Sequence, residues 1–347
     1  MSGGFGNVLI IKLKHLGDVL TTTPVITGIK ALWPEAKVSY LINPGGEDLV
    51  KYHPEVSEVF IFPRNRGFGA RVSLVRALRN RRFDLVLELS GGDRGAFLAW
   101  TTGASTRVGY DHKKDFRGRR LTLTHRVTTP AASLHTVEYH LETLRVLGAD
   151  PGYQPLSLHW PAEAQERVRE RLAAGGRDPD GPYAVVHPSS RWMFKTWRPE
   201  GNAEVIDFLS REKGLPVVVT SAPEEKELAF VRDVLARTTS PPLDLSGCLS
   251  LAELAALIGG ARVFFGVDSL PMHMAAAAGT KVVALFGPSG EHMWGPWGRG
   301  HRVVAKDWDC RPCGRDGCQG SKVSRCLVEI ETPEVTAALE AVLEGRA

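Results

Sequence analysis

Long apolar runs are missing from this sequence. Near its start only Val8-Leu9-Ile10-Ile11 is continuous, far too short for the apolar core of a secretion signal or for a membrane span of about 20 residues. The expected compartment is therefore the cytoplasm, with any membrane work done from the surface. Net charge is also scarce: +4 over 347 residues, with charged side chains at 24%, leaves no broad electrostatic footprint for nucleic acid. A Gly-rich nucleotide fingerprint is absent where it would count. Gly3, Gly4 and Gly6 precede the first apolar run instead of following it, which speaks against a G-x-G-x-x-G dinucleotide turn. Cysteines number 5, and reduced thiols are the expectation unless a metal takes them.

What is present is an alternation of apolar runs and amphipathic stretches, carried twice. Apolar residues make up 43% of the chain, enough for two cores at this length. Val8–Ile11, Val38–Ile42, Val59–Phe62 and Leu85–Leu89 read as strands buried on both faces, as in parallel sheets. Thr23 is placed to cap a helix with Pro24 in its first turn, and Thr136–Leu147 forms another that stops at Gly148. The stretch from Ala149 to Pro182 is rich in proline, glycine and charge, with a single amphipathic helix in it, and marks the domain boundary. Beyond it Tyr183–Val186, Val217–Thr220, Val263–Gly266 and Val282–Phe286 read as strands, with helices at Glu200–Arg211, Glu224–Ala236, Ser250–Ile258 and Met272–Ala278. The expected fold is α/β: two doubly wound, Rossmann-like domains facing a cleft, over residues 1–160 and 180–330, with a C-terminal helix at 333–345 packing back on the first domain. Ligands of such sheets bind beyond the carboxyl ends of the strands.

The unusual residues fall just after strands. Lys14-His15-Leu16-Gly17-Asp18 follows the first, and Asp18 could take a proton from a hydroxyl or simply cap a helix. His187-Pro188-Ser189-Ser190-Arg191-Trp192 leads to Lys195; two hydroxyls, backbone amides and a lysine are the parts of an anion cradle. Gly266-Val267-Asp268-Ser269-Leu270-Pro271-Met272-His273 ends a strand and opens a helix. Its free amides suit a diphosphate, and Asp268 could accept bonds from sugar hydroxyls. His273 lies one turn into that helix, where a buried structural histidine is an equal reading. Among Glu224, Glu225 and Glu227, Glu225 is chosen as acceptor for a ribose diol. Cys310, Cys313, Cys318 and Cys326 could hold a structural zinc, although their spacing is not that of the common fingers and no adjacent histidine completes one. Reduced thiols or a disulfide are the alternatives.

Together these segments resemble the heptosyltransferases that build the inner core of lipopolysaccharide, glycosyltransferase family 9. The resemblance spans nearly the whole chain and rests on Lys14-His15-Leu16-Gly17-Asp18, Ser189-Ser190-Arg191-Trp192 with Lys195 and Trp197, and Gly266 to Ala277 with Leu285-Phe286-Gly287-Pro288-Ser289. Val267-Asp268-Ser269-Leu270-Pro271-Met272-His273-Met274 is most similar to the heptosyltransferase III branch, whereas the cysteine segment looks more like that of heptosyltransferase II relatives. The resemblance implies a GT-B architecture and inverting transfer from ADP-heptose to a core heptose, with no cofactor required. It places the base at Asp18, phosphate contacts at Ser189, Ser190, Lys195 and Ser269, the ribose carboxylate at Glu225, the sugar contact at Asp268, and an apolar neighbour of adenine at Leu249. His273 belongs to the same donor-binding set. Many members carry glycine after the Asp-Thr or Asp-Ser pair; Leu270-Pro271 stands here, and a proline has no amide to give. The implied partner is a phosphorylated lipopolysaccharide core at the inner face of the inner membrane, its anionic groups met by Lys113, Lys114, Arg117, Arg119 and Arg120. Two rivals stay open: another nucleotide-sugar enzyme such as an epimerase, and a non-catalytic zinc-containing nucleic-acid binder.

Overall fold

The continuous apolar runs do become parallel strands, and they do so twice. A computed structural model describes residues 4–111 and 119–346, apart from the side chains of residues 119 and 120. The chain folds as two compact units, Met1–His159 and Trp160–Ala347.

The first unit holds strands β1 (Asn7–Lys12), β2 (Lys37–Ile42), β3 (Val56–Ile61), β4 (Leu85–Glu88), β5 (Thr106–Tyr110) and β6 (His125–Val127). Its helices are α1 (Leu16–Leu20), α2 (Thr23–Leu32), α3 (Phe68–Asn80), α4 (Asp93–Thr101), α5 (Arg119–Thr122) and α6 (Thr136–Arg145). The strands pair in parallel in the order β3-β2-β1-β4-β5-β6, the doubly wound order. After β1 the chain leaves to one side, and after β3 it crosses to the other. The switch point therefore lies between the carboxyl ends of β1 and β4. Thr22, not Thr23, is the cap residue of α2, and it makes no side-chain cap bond. The Thr23 hydroxyl instead donates to the Leu20 carbonyl and accepts from the Ser157 amide, tying the end of this unit to α2.

The second unit holds β7 (Ala184–His187), β8 (Val217–Val219), β9 (Leu243–Asp244), β10 (Val263–Val267), β11 (Lys281–Phe286) and β12 (Arg302–Ala305). Its helices are α7 (Ala162–Ala174), α8 (Pro199–Arg211), α9 (Glu225–Leu235), α10 (Leu251–Gly259), α11 (Leu270–Ala277), α12 (Glu291–Trp294), α13 (Arg325–Val328) and α14 (Thr332–Leu343). The order β12-β11-β10-β7-β8-β9 repeats the first pattern, with the switch point between β7 and β10.

Two expectations are corrected here. The second unit starts at Trp160, ahead of the expected start at 180, because α7 packs on α10 and Trp160 lies against Gly259. The C-terminal helix belongs to the core of the second unit. Its stripe Val335, Leu339 and Val342 is buried there, against β11, β12 and α8. Those residues recur at i, i+4 and i+7, one face of a helix.

Candidate active site

In the first unit the site begins at the last residue of β1. Lys12 ends an apolar strand yet is only 3% exposed. A buried ammonium must find acceptors. It donates to the Leu89 carbonyl at 2.9 Å, lies 3.2 Å from His140 Nε2, and faces Asp18 Oδ1 at 3.7 Å. Asp18 sits in α1, whose cap residue is His15, so the carboxylate is not a cap; it is paired with a cation and about a fifth exposed (21%). Beneath the pair lies Glu88, fully buried on β4, accepting the Ser90 amide at 2.9 Å. Ser90 Oγ in turn receives the Leu13 amide at 2.8 Å, which fixes the chain leaving β1. His140 Nδ1 meets the Tyr110 hydroxyl at 2.5 Å, and Tyr110 stacks on Tyr139 with ring centroids 4.3 Å apart.

Burial governs the protonation of this network. Loss of water pushes the Lys12 ammonium down to about 8, against the opposing pull of Asp18 and Glu88. Desolvation, then the Lys12 charge, hold His140 well below the ordinary histidine value, so its ring is neutral. Burial likewise raises Tyr110 well above the usual phenol. Lys12, Glu88, Tyr110 and His140 were not singled out from the sequence. The available signal was a charge set inside an apolar strand, at Lys12 and again at Glu88.

In the second unit the chain after β7 and the chain after β10 meet at Asp268. That side chain, 8% exposed, accepts from Lys195 Nζ at 2.5 Å and from Ser289 Oγ at 2.5 Å. Lys195 closes a short 3-10 turn, Met193–Lys195, and Ser289 lies in the loop after β11. Ser269 occupies the cap position of α11 but makes no cap bond, and its hydroxyl is buried with no hydrogen-bond partner among the described residues. The first-turn amides of α11 are unsatisfied by the helix itself, except that Pro271 supplies none. His273 is buried on this helix.

The remaining candidates divide. Ser190 Oγ accepts from the Trp192 amide at 3.3 Å and shapes the loop. Ser189 donates to buried Glu227 at 2.7 Å, and burial raises that carboxyl above its ordinary value. Glu225 points to solvent and pairs with Arg232. Leu249 is half-buried, immediately before Ser250, which caps α10 in a capping box with Glu253. Lys113, Lys114 and Arg117 lie outside the described residues, and Arg119 and Arg120 open α5.

The cysteine segment proves to be a brace. Arg311 donates to the Gly287 carbonyl at 2.7 Å, to the Lys306 carbonyl at 2.6 Å and to Glu291 at 2.8 Å. The Gly314 amide donates to the Pro288 carbonyl at 2.9 Å, and Ser324 donates to the Phe194 carbonyl at 2.6 Å. Both loops that reach Asp268 are thus held from behind. Cys310 and Cys313 are exposed, Cys318 is half-buried and Cys326 is buried, all as free thiols. Burial pushes the Cys326 thiol up. Among the described residues no group of three or more His, Cys, Asp or Glu side chains is placed so that it could hold a metal ion.

Each sheet therefore gathers polar groups at its switch point: one carboxylate over a buried cation in the first unit, and a lysine paired with Asp268 beside the Ser269 hydroxyl and the N-terminus of α11 in the second. Comparison with known proteins agrees with the resemblance drawn from the sequence. Lipopolysaccharide heptosyltransferase 3 of Escherichia coli (strain K12) is 33% identical over 296 residues, 82% of this chain and 83% of the relative. A glycosyl transferase family 9 structure from Veillonella parvula superposes with a TM-score of 0.85 at 23% identity, covering 99% of both chains. The Escherichia coli heptosyltransferase WaaC with ADP gives 0.72 at 20%, covering 97% of this chain and 99% of that one. The two doubly wound units thus have the GT-B fold of these neighbours. The family model described as glycosyltransferase family 9 (heptosyltransferase) matches residues 71–324, and the chain belongs to that family.

Proposed function

We propose that this glycosyltransferase moves a heptosyl group from ADP-heptose to a heptose of the lipopolysaccharide inner core, with inversion at the anomeric carbon. The observation that carries the reading is the chemistry at the two switch points, in a chain whose relatives are named for this reaction. Asp18 takes the proton of the attacking hydroxyl. The new glycosidic bond forms at the anomeric carbon as its bond to the diphosphate oxygen breaks, and ADP leaves with the electron pair. Lys195, the Ser269 hydroxyl and the first-turn amides of α11 meet the charge that develops. The proton on Asp18 then passes to solvent.

Asp268 is the sugar contact in this scheme, Leu249 the adenine neighbour, and Glu225 the ribose acceptor. Charge neutralisation is assigned to Lys195 and the helix, so the scheme calls for no metal or other cofactor. The basic stretch with Lys113, Lys114, Arg117, Arg119 and Arg120 is assigned to phosphates of the acceptor, at the cytoplasmic face of the inner membrane. No described helix is long and apolar enough to cross a membrane.

Incubation with ADP-heptose and purified heptose-containing core should add one heptosyl mass to the acceptor and release ADP in equal amount, while UDP-sugars give no product. An acceptor of unchanged mass would overturn the proposal.

A further inference from the structure

We infer that Lys12 is a positioning residue for Asp18: a buried cation, seated by the Leu89 carbonyl and His140, that holds the base's carboxylate in its working place. The inference rests on the reading of Asp18 as the base.

A lysine is almost never fully buried without cause, because stripping its water is costly and repaid only by well-placed partners. Methionine would fill the end of β1 at no such cost. The Lys12 ammonium has three donors, and three groups surround it: the Leu89 carbonyl, His140 Nε2 and Asp18 Oδ1. Because an ammonium can only donate, Nε2 must accept, which puts the ring proton on Nδ1, toward the Tyr110 oxygen. Lys12 is thus pinned from the residue after β4, from α6 and, through His140, from β5. At 3.7 Å the contact with Asp18 is an ion pair longer than a hydrogen bond, which leaves the carboxylate oxygens able to accept from a substrate.

The charged and titratable groups around Lys12 come from every neighbouring element. Asp18 faces it from α1, Glu88 from β4, Lys14 from its own strand's end and His140 from α6, with His135, Tyr110 and Tyr139 behind His140. A purely structural role is the alternative, with Lys12 serving as counter-ion to buried Glu88. The two roles separate by pH. Lys12 gives up its proton near 8, and Asp18 then loses the cation it faces. Turnover should fall through that range in the wild type. An arginine keeps its charge there and should remove the fall. A methionine removes that cation at every pH, so turnover should be low throughout and show no fall near 8.

The experiment measures kcat, KM for each substrate, and the pH–rate profile for wild type, Lys12→Met, Lys12→Arg, Asp18→Asn and the double variant Lys12→Met/Asp18→Asn. Lys12→Met should lower kcat on the order of 100-fold, the scale of a misplaced catalytic group, with KM for the donor unchanged. The double variant should be no slower than Asp18→Asn alone. Lys12→Arg should keep most of kcat and lose the basic limb. An inactive Asp18→Asn beside a Lys12→Met of normal turnover and unshifted profile overturns this inference and leaves the base in place. Near-normal turnover of Asp18→Asn overturns the base and the inference together. Should Lys12→Met fail to fold, Lys12→Arg decides: a basic limb that stays near 8 is not set by Lys12, and the positioning role falls.

Discussion

The two switch points are built from the same topology and solve opposite problems. In the first unit one partly exposed carboxylate stands over a dry network of Lys12, Glu88, His140 and Tyr110, none of which needs to reach solvent. In the second, Asp268 is held by Lys195 and Ser289 from two surface loops, with a helix N-terminus beside it. In the proposed scheme Asp18 must keep its aim while substrates come and go, and the groups around it are buried. The proposed diphosphate site must exchange one set of contacts for another; Lys195 and Ser289 sit on loops, and those loops are held from behind by Arg311 and Ser324.

This division can be broken by single substitutions. Asp18→Asn should lower kcat by roughly 10²–10⁴-fold, the usual worth of a general base, and leave ADP affinity intact. Lys195→Ala should do the reverse on binding. A lost charge-assisted bond of about 1.5–3 kcal/mol is roughly 10- to 150-fold in the ADP dissociation constant. Calorimetric titration with ADP beside steady-state kinetics reads both. Should Asp18→Asn weaken ADP binding as much as Lys195→Ala does, the two units do not divide the work.

The two cores can be compared by packing. Gly95 on α4 lies so close to Glu88 that a Cβ would collide with its carboxylate, and Gly201 on α8 lies as close to the indole of Trp197. Overpacking costs about 1–3 kcal/mol. Gly201→Ala meets a fully buried ring in an apolar core and should lower the unfolding midpoint in urea without touching the pH–rate profile. Gly95→Ala pushes on Glu88, which shares Lys12 with Asp18, and should move both. Equal behaviour of the two variants would mean that Glu88 is mere filling.

How much of this was legible in the sequence depended on the period of each element. Strands β1, β2, β4, β10 and β11 are buried on both faces and stand out as unbroken apolar runs. Edge strands β6 and β12 are short and half-buried, and they gave no such signal. Helix α4 turns Phe97 and Trp100 outward (54% and 53% exposed), so its pattern did not announce which side faced the sheet. Asp18, Lys195 and Asp268 stand out as candidates because polar residues just past a strand are conspicuous. The Lys12 network does not, since residues 12, 88, 110 and 140 converge only once β1, β4, β5 and α6 are assembled. The buried carboxylate of α9 could have been found. Glu227, Val231 and Val234 share the i, i+4, i+7 face that packs inward, which leaves Glu225 on the outer side.

Acid should test both units alike, through histidines buried without charge. Burial holds His53 of the first unit and His187 of the second down to about 4, against an unfolded value near 6.5. The unfolded chain then binds more protons between those values. The stability these residues contribute is complete above about 6.5 and is lost as pH falls toward 4. Thermal unfolding followed across that window should show the decline, and His53→Gln and His187→Gln should each flatten part of it. A midpoint that does not change with pH would mean the two rings are not buried as neutral groups.

The smallest expected change in stability belongs to Glu225. Its pair with Arg232 is solvent-exposed, and exposed pairs contribute little. Glu225→Ala should therefore leave the unfolding midpoint where it is and raise KM for the donor, if the ribose contact is assigned correctly. Glu227→Ala should act differently. It removes the acceptor of the Ser189 hydroxyl, leaving that group buried and unpaired at a cost of about 1–3 kcal/mol, and it loosens the loop that leads to Lys195. Donor KM then rises together with a loss of stability. A variant pair in which only Glu227→Ala changes donor KM would move the ribose contact away from Glu225. The outward carboxylate would be left as a helix-end charge, and the inward one as the residue that sets the shape of the phosphate loop.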